Sequence, residues 1–326
     1  MYMNNKKDRV LIIDALNMYY RAYIVDPSLS TNGQPIGGMK GFLKIMQKLI
    51  RETSPDSVVV AWDGPGGSRK KKTMNKGYKD GRKPLRLNRG IQGLLTENQE
   101  LENKIWQQTR LIEYLNQLPI SQIMLPEIEA DDVIAYVIKM SSLAGKQKVI
   151  VSSDKDFIQL CDDETVLYRP IQKEVLNVPT VVEKFGIHPM NFALARAIAG
   201  DKSDNLPGVQ GAGLKSIAKR FPFMSQDTEC ELIDILEVCQ DPDRKLKLYE
   251  NIIENKDLIH DNYRIMQLYY PNISPQSKAV IDNSINNLDC SFNKTEFLKM
   301  GNEDGLGAYD WSTLYQTCQH IIFKNC

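Results

Sequence analysis

The chain has 326 residues, of which 41 are lysine or arginine and 41 are aspartate or glutamate, so its formal net charge is zero. This balance argues against a uniformly basic binder, and 42% hydrophobic content is ordinary for a globular protein of one large or two smaller domains. No apolar run approaches the roughly 20 residues of a membrane helix, and residues 1–9 lack the apolar segment of a signal peptide. Six cysteines without a Cys-X-X-Cys pair and three scattered histidines argue against zinc and favour a reducing, intracellular setting.

The first 65 residues predict a strand–helix–strand unit. Residues 10–13 and 58–62 are short apolar runs typical of buried strands, and residues 39–50 carry apolar side chains at helical spacing. Asp14 and Asp63 end the two strands. Because the carboxyl ends of parallel strands meet at one edge of an α/β sheet, we expect both acids at that edge, where such sheets place their sites.

A strongly basic segment follows at residues 68–90, with ten lysines and arginines against one acid, Asp80. It contains too few apolar residues to bury itself, so a solvated, mobile loop is one interpretation. A segment that contacts the phosphates of a nucleic acid is the other. The two interpretations are compatible, because segments of this composition can become ordered when they bind.

Two acidic clusters occupy the middle of the chain. The first lies in the opening turn of a helix with an apolar face, and the second lies just past a buried strand at residues 149–153. Taken singly, each has a simpler explanation, because acids favour the dipole of a helix N-terminus and Asp-X-Asp is common in turns. Their members are Glu129, Asp131, Asp132, Asp154 and Asp156.

The next part of the chain predicts a hairpin at residues 166–176 and then a third acidic pair, Asp201 and Asp204. A glycine-rich turn follows this pair and opens a helix near Leu214. Such a turn offers backbone N–H groups to an anion such as phosphate. Beyond about residue 271 the chain is rich in Asn and Ser and less patterned. The glycines of the turn are Gly208, Gly211 and Gly213.

Recurrence of acids at element ends indicates metal binding. Carboxylates that converge repel one another unless a cation lies between them, and hard divalent cations prefer oxygen ligands. Two such ions a few ångströms apart stabilise both the attacking and the leaving oxygen of phosphoryl transfer. Magnesium fits best, because it keeps several waters and uses few carboxylates directly. The basic segment would supply the charge that holds a polyanion.

These residues resemble the 5′ nucleases, a family that includes bacteriophage flap endonucleases, phage RNase H and the 5′–3′ exonuclease domain of bacterial DNA polymerase I. The resemblance runs in order from about residue 10 to about residue 220 and is specific as an ensemble. The matching motifs are Ile13-Asp14, Tyr20-Arg21-Ala22-Tyr23, Trp62-Asp63, Tyr78-Lys79-Asp80-Gly81-Arg82, Glu129-Ala130-Asp131-Asp132, Ser153-Asp154-Lys155-Asp156, Gly200-Asp201-Lys202-Ser203-Asp204-Asn205 and the turn from Gly208 to Lys215.

The resemblance implies an α/β fold with a PIN-like (resolvase-like) parallel central sheet flanked by helices. It implies a metal-binding nuclease core at residues 1–188, in which residues 68–90 form a helical arch or gateway for a 5′ single strand. A helix–three-turn–helix subdomain that grips duplex phosphates would span residues 189–280, and residues 281–326 would be a C-terminal extension.

The resemblance also implies roles for individual residues. Lys79 and Arg82 would bind or polarise the scissile phosphate, and Arg21 would approach the same site. Tyr78 and Lys215 would contact DNA, together with the three glycines of the turn, where K⁺ would bind. Two Mg²⁺ ions, replaceable by Mn²⁺, would be the cofactors. The ligands of the first ion would be Asp14, Asp63, Glu129, Asp131 and Asp132, and those of the second Asp154, Asp156, Asp201 and Asp204.

The function implied is a structure-specific 5′ nuclease with 5′–3′ exonuclease, flap endonuclease and RNase H activity, acting in DNA replication. Its partners would be branched, flapped or nicked DNA, RNA–DNA hybrids, and a single-stranded-DNA-binding protein or replication clamp. We expect a cytoplasmic monomer that meets no membrane, in the host cytoplasm if a phage encodes it. Two alternatives stay open, a PIN-type ribonuclease and a non-catalytic DNA-binding relative.

The resemblance does not reach residues 240–326. Apolar residues in this tail, among them Phe297, Trp311 and Leu314, are numerous enough to pack. We favour the interpretation that they cover the helical subdomain as additional core. Docking on a replication protein is the second interpretation.

Overall fold

The computed structural model describes residues 8–82, 86–243, 246–287, 291–307 and 309–325. Within these ranges, three 3₁₀ segments lie at Ser141–Leu143, Asp156–Leu160 and Pro222–Ser225. The strands and α-helices are β1 (Arg9–Asp14), α1 (Ala15–Val25), α2 (Gly37–Thr53), β2 (Ser57–Trp62), α3 (Arg69–Met74), α4 (Glu97–Leu115), β3 (Ser121–Met124), α5 (Ala130–Val137), β4 (Gln147–Val151), β5 (Thr165–Arg169), β6 (Glu174–Leu176), α6 (Val178–Phe185), α7 (Pro189–Ala199), α8 (Leu214–Arg220), α9 (Leu232–Cys239), α10 (Lys247–Glu254), α11 (Lys256–Met266), α12 (Pro275–Asn286), α13 (Lys294–Glu303) and α14 (Trp311–Asn325).

The six strands form one sheet in the order β3-β2-β1-β4-β5-β6. The first five run parallel, and β6 pairs antiparallel with β5. The predicted α/β fold with a parallel central sheet is therefore confirmed, and so is the predicted hairpin at the sheet edge. Because the last strand of this hairpin, β6, is antiparallel, the sheet is mixed. Because β1, β2 and β4 are parallel neighbours, their carboxyl ends meet at one edge.

Both faces of the sheet are covered, as the continuous apolar runs of its central strands require. Successive side chains of a strand point to opposite faces, so Val10 and Ile12 pack on one side and Leu11 and Ile13 on the other. The first side carries α5 and the helices α6 to α12. The second carries α1, α2 and α4. In the described ranges, no helix is long and apolar enough to cross a membrane.

Local signals explain where the helices begin and end. Thr96 and Gln99 form a reciprocal capping box at the start of α4, and Asn177 caps α6 in the same way. Gly186 ends α6 with φ +67°, a left-handed conformation that suits glycine. Helix α2 presents a buried apolar stripe to the sheet.

The C-terminal tail corrects one prediction. Residues beyond 271 form the helices α12, α13 and α14, although their sequence is less patterned. Several apolar residues of the tail are core, as favoured, but they cover the face of the sheet opposite to the predicted one. Phe297, Leu314 and Ile321 join the cluster of α1, α2 and α4, on the face opposite the helices α7 to α11. The Phe297 ring lies edge-on to Tyr114 of α4, with centroids 5.0 Å apart.

Candidate active site

Asp14 stands at the centre of the carboxyl edge. It ends β1 and caps α1, where its carboxylate accepts a hydrogen bond from the backbone N–H of Asn17 at 3.2 Å. The hydroxyl of Ser152, just past β4, donates to the same carboxylate at 2.8 Å. Two neighbouring strand ends are therefore joined through this side chain.

The end of β2 is joined to the start of α5. Asp63 accepts a hydrogen bond from the backbone N–H of Ala130 at 2.8 Å. Glu129 occupies the N-cap position of α5 but makes no capping bond there. Its carboxylate instead accepts from the hydroxyl of Ser68 at 2.7 Å. The acidic motif is thus placed at the sheet edge by β2 on one side and by the basic segment on the other.

Two lysines of the basic segment bind Glu129. Lys71 of α3 lies 2.6 Å from Oε2, and Lys79 lies 2.5 Å from Oε1. Lys71 also lies 3.9 Å from Asp131. The ammonium of Lys79 sits 5.0 Å above the ring of Tyr78, a cation–π distance. Lys79 has φ +61°, an uncommon conformation for a non-glycine residue.

The basic segment has few apolar residues, as its composition predicted, but two of them are buried anchors. Tyr78 and Leu87 are only 2% and 3% exposed, because Tyr78 packs against the core beneath the acidic edge and Leu87 against the α4 side. Part of the segment is the helix α3. Residues 83–85 lie outside the described ranges, and the mobility of the segment remains a prediction.

The second acidic group is organised by an arginine that the sequence analysis did not single out. Arg196 of α7 lies 3.0 Å from Asp156 and also binds Asp201. It is only 9% exposed. The signal that could have identified it is a lone cation in the apolar helix PMNFALARAIA, five residues before Asp201. A buried charge of this kind needs carboxylate partners.

The basic segment also contacts the loop that carries Asp204. Arg82 binds the carboxylate of Asp204, and the backbone N–H of Lys79 donates to the carbonyl of Asp204 at 2.9 Å. Asn205 donates to the carbonyl of Gly77 at 2.9 Å. Residues 77–82 therefore bridge the two acidic groups. Lys79 binds Glu129 of the first group, and Arg82 binds Asp204 of the second.

The electrostatics of the edge are those of crowded carboxylates. Burial, with repulsion from Asp63 and Asp154, raises the pKa of Asp14 to about 7. Burial, with repulsion from Asp154, raises the pKa of Asp156 to about 7. Burial would also raise the pKa of Glu129, but Lys71 and Lys79 outweigh it and lower that pKa. Asp154 thus faces Asp14 of the first group and Asp156 of the second.

This donor set fits hard divalent cations. All of its ligand atoms are carboxylate oxygens, and the raised pKa values of Asp14 and Asp156 mark carboxylates whose charge is not fully compensated. Among the described residues, no three acidic, His or Cys side chains converge closely enough to enclose an ion. Lysine and arginine side chains pair with several of these acids instead. The division of the nine acids into two ligand groups remains a prediction.

Arg21 and the glycine turn are the remaining predicted site residues. Arg21 of α1 lines a separate cleft with Tyr168 and Lys173. At Gly208 a Cβ atom would stand 2.0 Å from the carbonyl oxygen of Ala199, so only glycine fits this close approach. Gly211 has φ +84°, and Gly213 is the N-cap of α8, which includes Lys215.

Comparison with known proteins agrees with this geometry. The sequence model of the family described as 5′-3′ exonuclease, N-terminal resolvase-like domain, matches residues 9–186. The chain belongs to this family. The resemblance predicted from the motifs is confirmed over this range.

Individual relatives give the same result. The chain is 32% identical to the 5′-3′ exonuclease of Aquifex aeolicus over 207 residues, 63% of this chain and 66% of that protein. It is 32% identical to the thermostable DNA polymerase I of Thermus aquaticus over 214 residues, 65% of this chain and 24% of the polymerase. The match therefore spans just under two thirds of the first relative and about a quarter of the second.

A solved structure shares the fold over nearly the whole chain. The bacteriophage T5 flap endonuclease, in a complex with DNA and metal ions, aligns with a TM-score of 0.63 and 16% identity, covering 95% of this chain and 99% of that one. At this identity the likeness concerns the fold. With 95% of the chain covered, it extends beyond residue 220, where the motif resemblance ends.

Proposed function

We propose that the chain is a structure-specific, metal-dependent 5′ nuclease that hydrolyses phosphodiesters near the 5′ end of flapped or nicked DNA. The observation that carries the proposal is the position of Lys79 and Arg82, which face two acidic groups at one sheet edge. Cations so placed can bind a phosphate at the point where carboxylates hold metal ions. Family membership supports the reaction class.

The acidic and the basic residues of the site would have different roles in the reaction. The acids at the ends of β1, β2 and β4 would hold two divalent ions, and Mg²⁺ suits their all-oxygen donor set. Bound ions of this kind lower the pKa of water and neutralise charge that develops on phosphoryl oxygens. Lys79 and Arg82 would hold the scissile phosphate. The buried ring of Tyr78 keeps the Lys79 ammonium in place.

Substrate handling follows from the same arrangement. The cleft beside α3 is lined by Arg69, Lys72, Lys76 and Lys79 and reaches Asp63 and Glu129, with a volume of about 810 Å³. A single 5′ strand that runs along these cations would be led to the acidic edge. Three predictions of the family resemblance remain predictions. They are the binding of duplex phosphates at the turn from Gly208 to Lys215, the binding of K⁺ at that turn, and the use of RNA–DNA hybrids as substrates.

Cleavage of defined substrates tests the proposal. We expect Mg²⁺-dependent cutting of a 5′-flap duplex and a nicked duplex, no cutting in EDTA, and little cutting of an RNA hairpin. An RNA–DNA hybrid with a 5′ RNA end tests RNase H activity, and Mn²⁺ in place of Mg²⁺ tests metal substitution. Preference for the RNA hairpin would favour a PIN-type ribonuclease, and binding without cutting in either metal would favour a non-catalytic relative.

Asp132→Asn is the matched inactive variant for this assay. Asp132 accepts a hydrogen bond from the backbone N–H of Asn272 at 3.3 Å, which the amide oxygen of Asn can also accept, so the fold should persist. We expect cleavage to be lost while affinity for flap DNA in EDTA stays near that of the wild type. Near-normal turnover of the purified variant in Mg²⁺ would remove Asp132 from the ligand set.

A further inference from the structure

A basic cleft lies on the β5 side of the acidic edge, opposite the side on which Lys79 binds Glu129. It is enclosed by α1, α2 and the turn between β5 and β6, with a volume of about 280 Å³. Its cations are Arg21, Lys44, Lys48 and Lys173, and its one acid is Asp26. In a chain of zero net charge, four cations against one acid are a local concentration of positive charge.

The cations of the cleft are weakly engaged. Within the described ranges, Arg21 and Lys173 form no ion pair. Lys44 lies 3.8 Å from Asp26 with half of its side chain exposed, and Lys48 lies 3.7 Å from Glu52 with more than half exposed. Exposed pairs at these distances hold a lysine only weakly, so an external anion can compete for it.

The floor of the cleft is apolar and partly aromatic. It includes Tyr168 and Pro170 from the sheet edge and Val25 from α1, whose side chain is 62% exposed. Tyr168 is half-buried and lines the cleft with its accessible part. A groove that combines cations with an accessible aromatic ring suits an unpaired nucleic-acid strand, since phosphates bind the cations and bases stack on the ring. A free inorganic anion would not use this floor.

The cleft adjoins the acidic edge directly. Helix α1 carries Arg21 and begins immediately after Asp14. The backbone N–H of Ser152 donates to the carbonyl of Tyr168 at 3.2 Å, while the Ser152 hydroxyl binds Asp14. In the sheet order the cleft lies at β5, whereas Lys79 and Glu129 lie toward β2. The acids therefore separate two basic surfaces.

We propose that this cleft is a second strand-binding site, which holds an unpaired segment of the nucleic-acid substrate through Lys44, Lys48 and Lys173 and stacks a base on Tyr168. The inference rests on the proposed function, because its ligand is that substrate. It assigns to the β5 side of the sheet a nucleic-acid contact separate from the arch and from the glycine turn.

Salt-dependent binding tests the cleft with the full chain in EDTA. The variant is Lys44→Ala/Lys173→Ala, and the matched control is Lys146→Ala/Lys299→Ala, which removes the same charge outside the cleft. For a single-stranded oligonucleotide, losing two phosphate contacts should reduce the slope of log affinity against log salt by about 1.4. The control should keep the wild-type slope, and thermal melts should match for both variants.

A second variant tests the stacking surface. Tyr168→Leu should weaken binding of an ordinary single strand by about 5- to 150-fold, the range for one stacked base. It should leave binding of an abasic strand of equal length unchanged. Equal losses on the two strands would overturn stacking on Tyr168. A slope reduced by about 1.8 for duplex DNA, with no change for the single strand, would overturn the assignment to an unpaired strand.

Cleavage by the wild type separates failure of this inference from failure of the proposed function. If the wild type cuts flap DNA in Mg²⁺ and the cleft variant matches its control in affinity and slope, the cleft inference is overturned and the nuclease stands. If the wild type cuts nothing and the cleft variant alone loses strand binding, the cleft stands and the nuclease proposal is overturned.

Discussion

Asp63 and Ala130 are joined by a hydrogen bond of 2.8 Å from the backbone N–H of Ala130 to the carboxylate of Asp63. The bond ties the end of β2 to the first residue of α5. Because the N-cap residue of that helix, Glu129, makes no capping bond, the acid of the neighbouring strand satisfies one of the free N–H groups. A proposed metal ligand is therefore also a structural cap.

The two roles of Asp63 can be separated by substitution. Asp63→Ala loses the cap and should reduce the free energy of unfolding by about 0.5–2 kcal/mol. Asp63→Asn retains an acceptor oxygen and should lose less. Both should lose Mg²⁺-dependent cleavage, because neither carries a carboxylate. Urea unfolding and flap cleavage measure the two effects, and equal unfolding free energies for the two variants would refute the capping role.

Lys79→Ala should reduce turnover far more than affinity. Lys79 lies within the acidic edge, whereas many other cations of residues 68–90 remain to hold phosphate. Lys72→Ala is the matched control, since Lys72 lies in the same cleft and pairs with Asp80 at 3.6 Å. Single-turnover rates at saturating enzyme and binding in EDTA separate the effects. A normal rate with collapsed binding in Lys79→Ala would make Lys79 a positioning charge.

Arg196→Met should destabilise the protein by about 3–5 kcal/mol, because it leaves the half-buried carboxylates of Asp156 and Asp201 without their buried cation. Arg196→Lys should lose less. If these acids bind metal, Mg²⁺ should raise the melting temperature of Arg196→Met more than that of the wild type.

Arg110→Met is the control for this prediction. Arg110 pairs with Asp304 at 2.8 Å, on the α4 side of the sheet and away from the acidic edge. Loss of Arg110 should lower the melting temperature by the same amount with and without Mg²⁺. The same Mg²⁺ response in both variants would contradict metal binding by the second acidic group.

The sequence predicted those features that depend on local pattern. Strand ends, helix starts and the position of Asp14 and Asp63 at one edge follow from apolar periodicity and from the geometry of parallel strands. It did not predict the role of Arg196, because the pairing of Arg196 with Asp156, forty residues earlier in the chain, is a tertiary contact that no local pattern shows. The buried ring of Tyr78 was missed for a similar reason, since a basic composition conceals a single apolar anchor that packs on another element.

The packing of the C-terminal tail also depends on contacts that the sequence pattern does not show. Apolar residues near the C-terminus indicated core, but nothing in their spacing told which face of the sheet they would cover. Phe297 packs against Tyr114 of α4 and against Trp311 of α14, with ring centroids 5.0 Å apart in each of these two contacts. The choice of face is made by pairings between residues almost two hundred positions apart, such as the bond from the Tyr114 hydroxyl to Asp304.

Phe297→Ala should therefore cost about 3–5 kcal/mol of unfolding free energy, the range for a large aromatic removed from a core. Phe297 is 1% exposed, whereas Phe323 in α14 is 83% exposed, so Phe323→Ala is the matched control and should change stability by less than about 0.5 kcal/mol. Truncation before Ser284 removes α13 and α14 and uncovers α2 and α4, so the shortened protein should melt early. Suppose instead that it melts normally, cuts naked DNA normally and loses only stimulation by a replication protein. The tail would then be a docking element, and its apolar packing on the sheet would be dispensable for the fold.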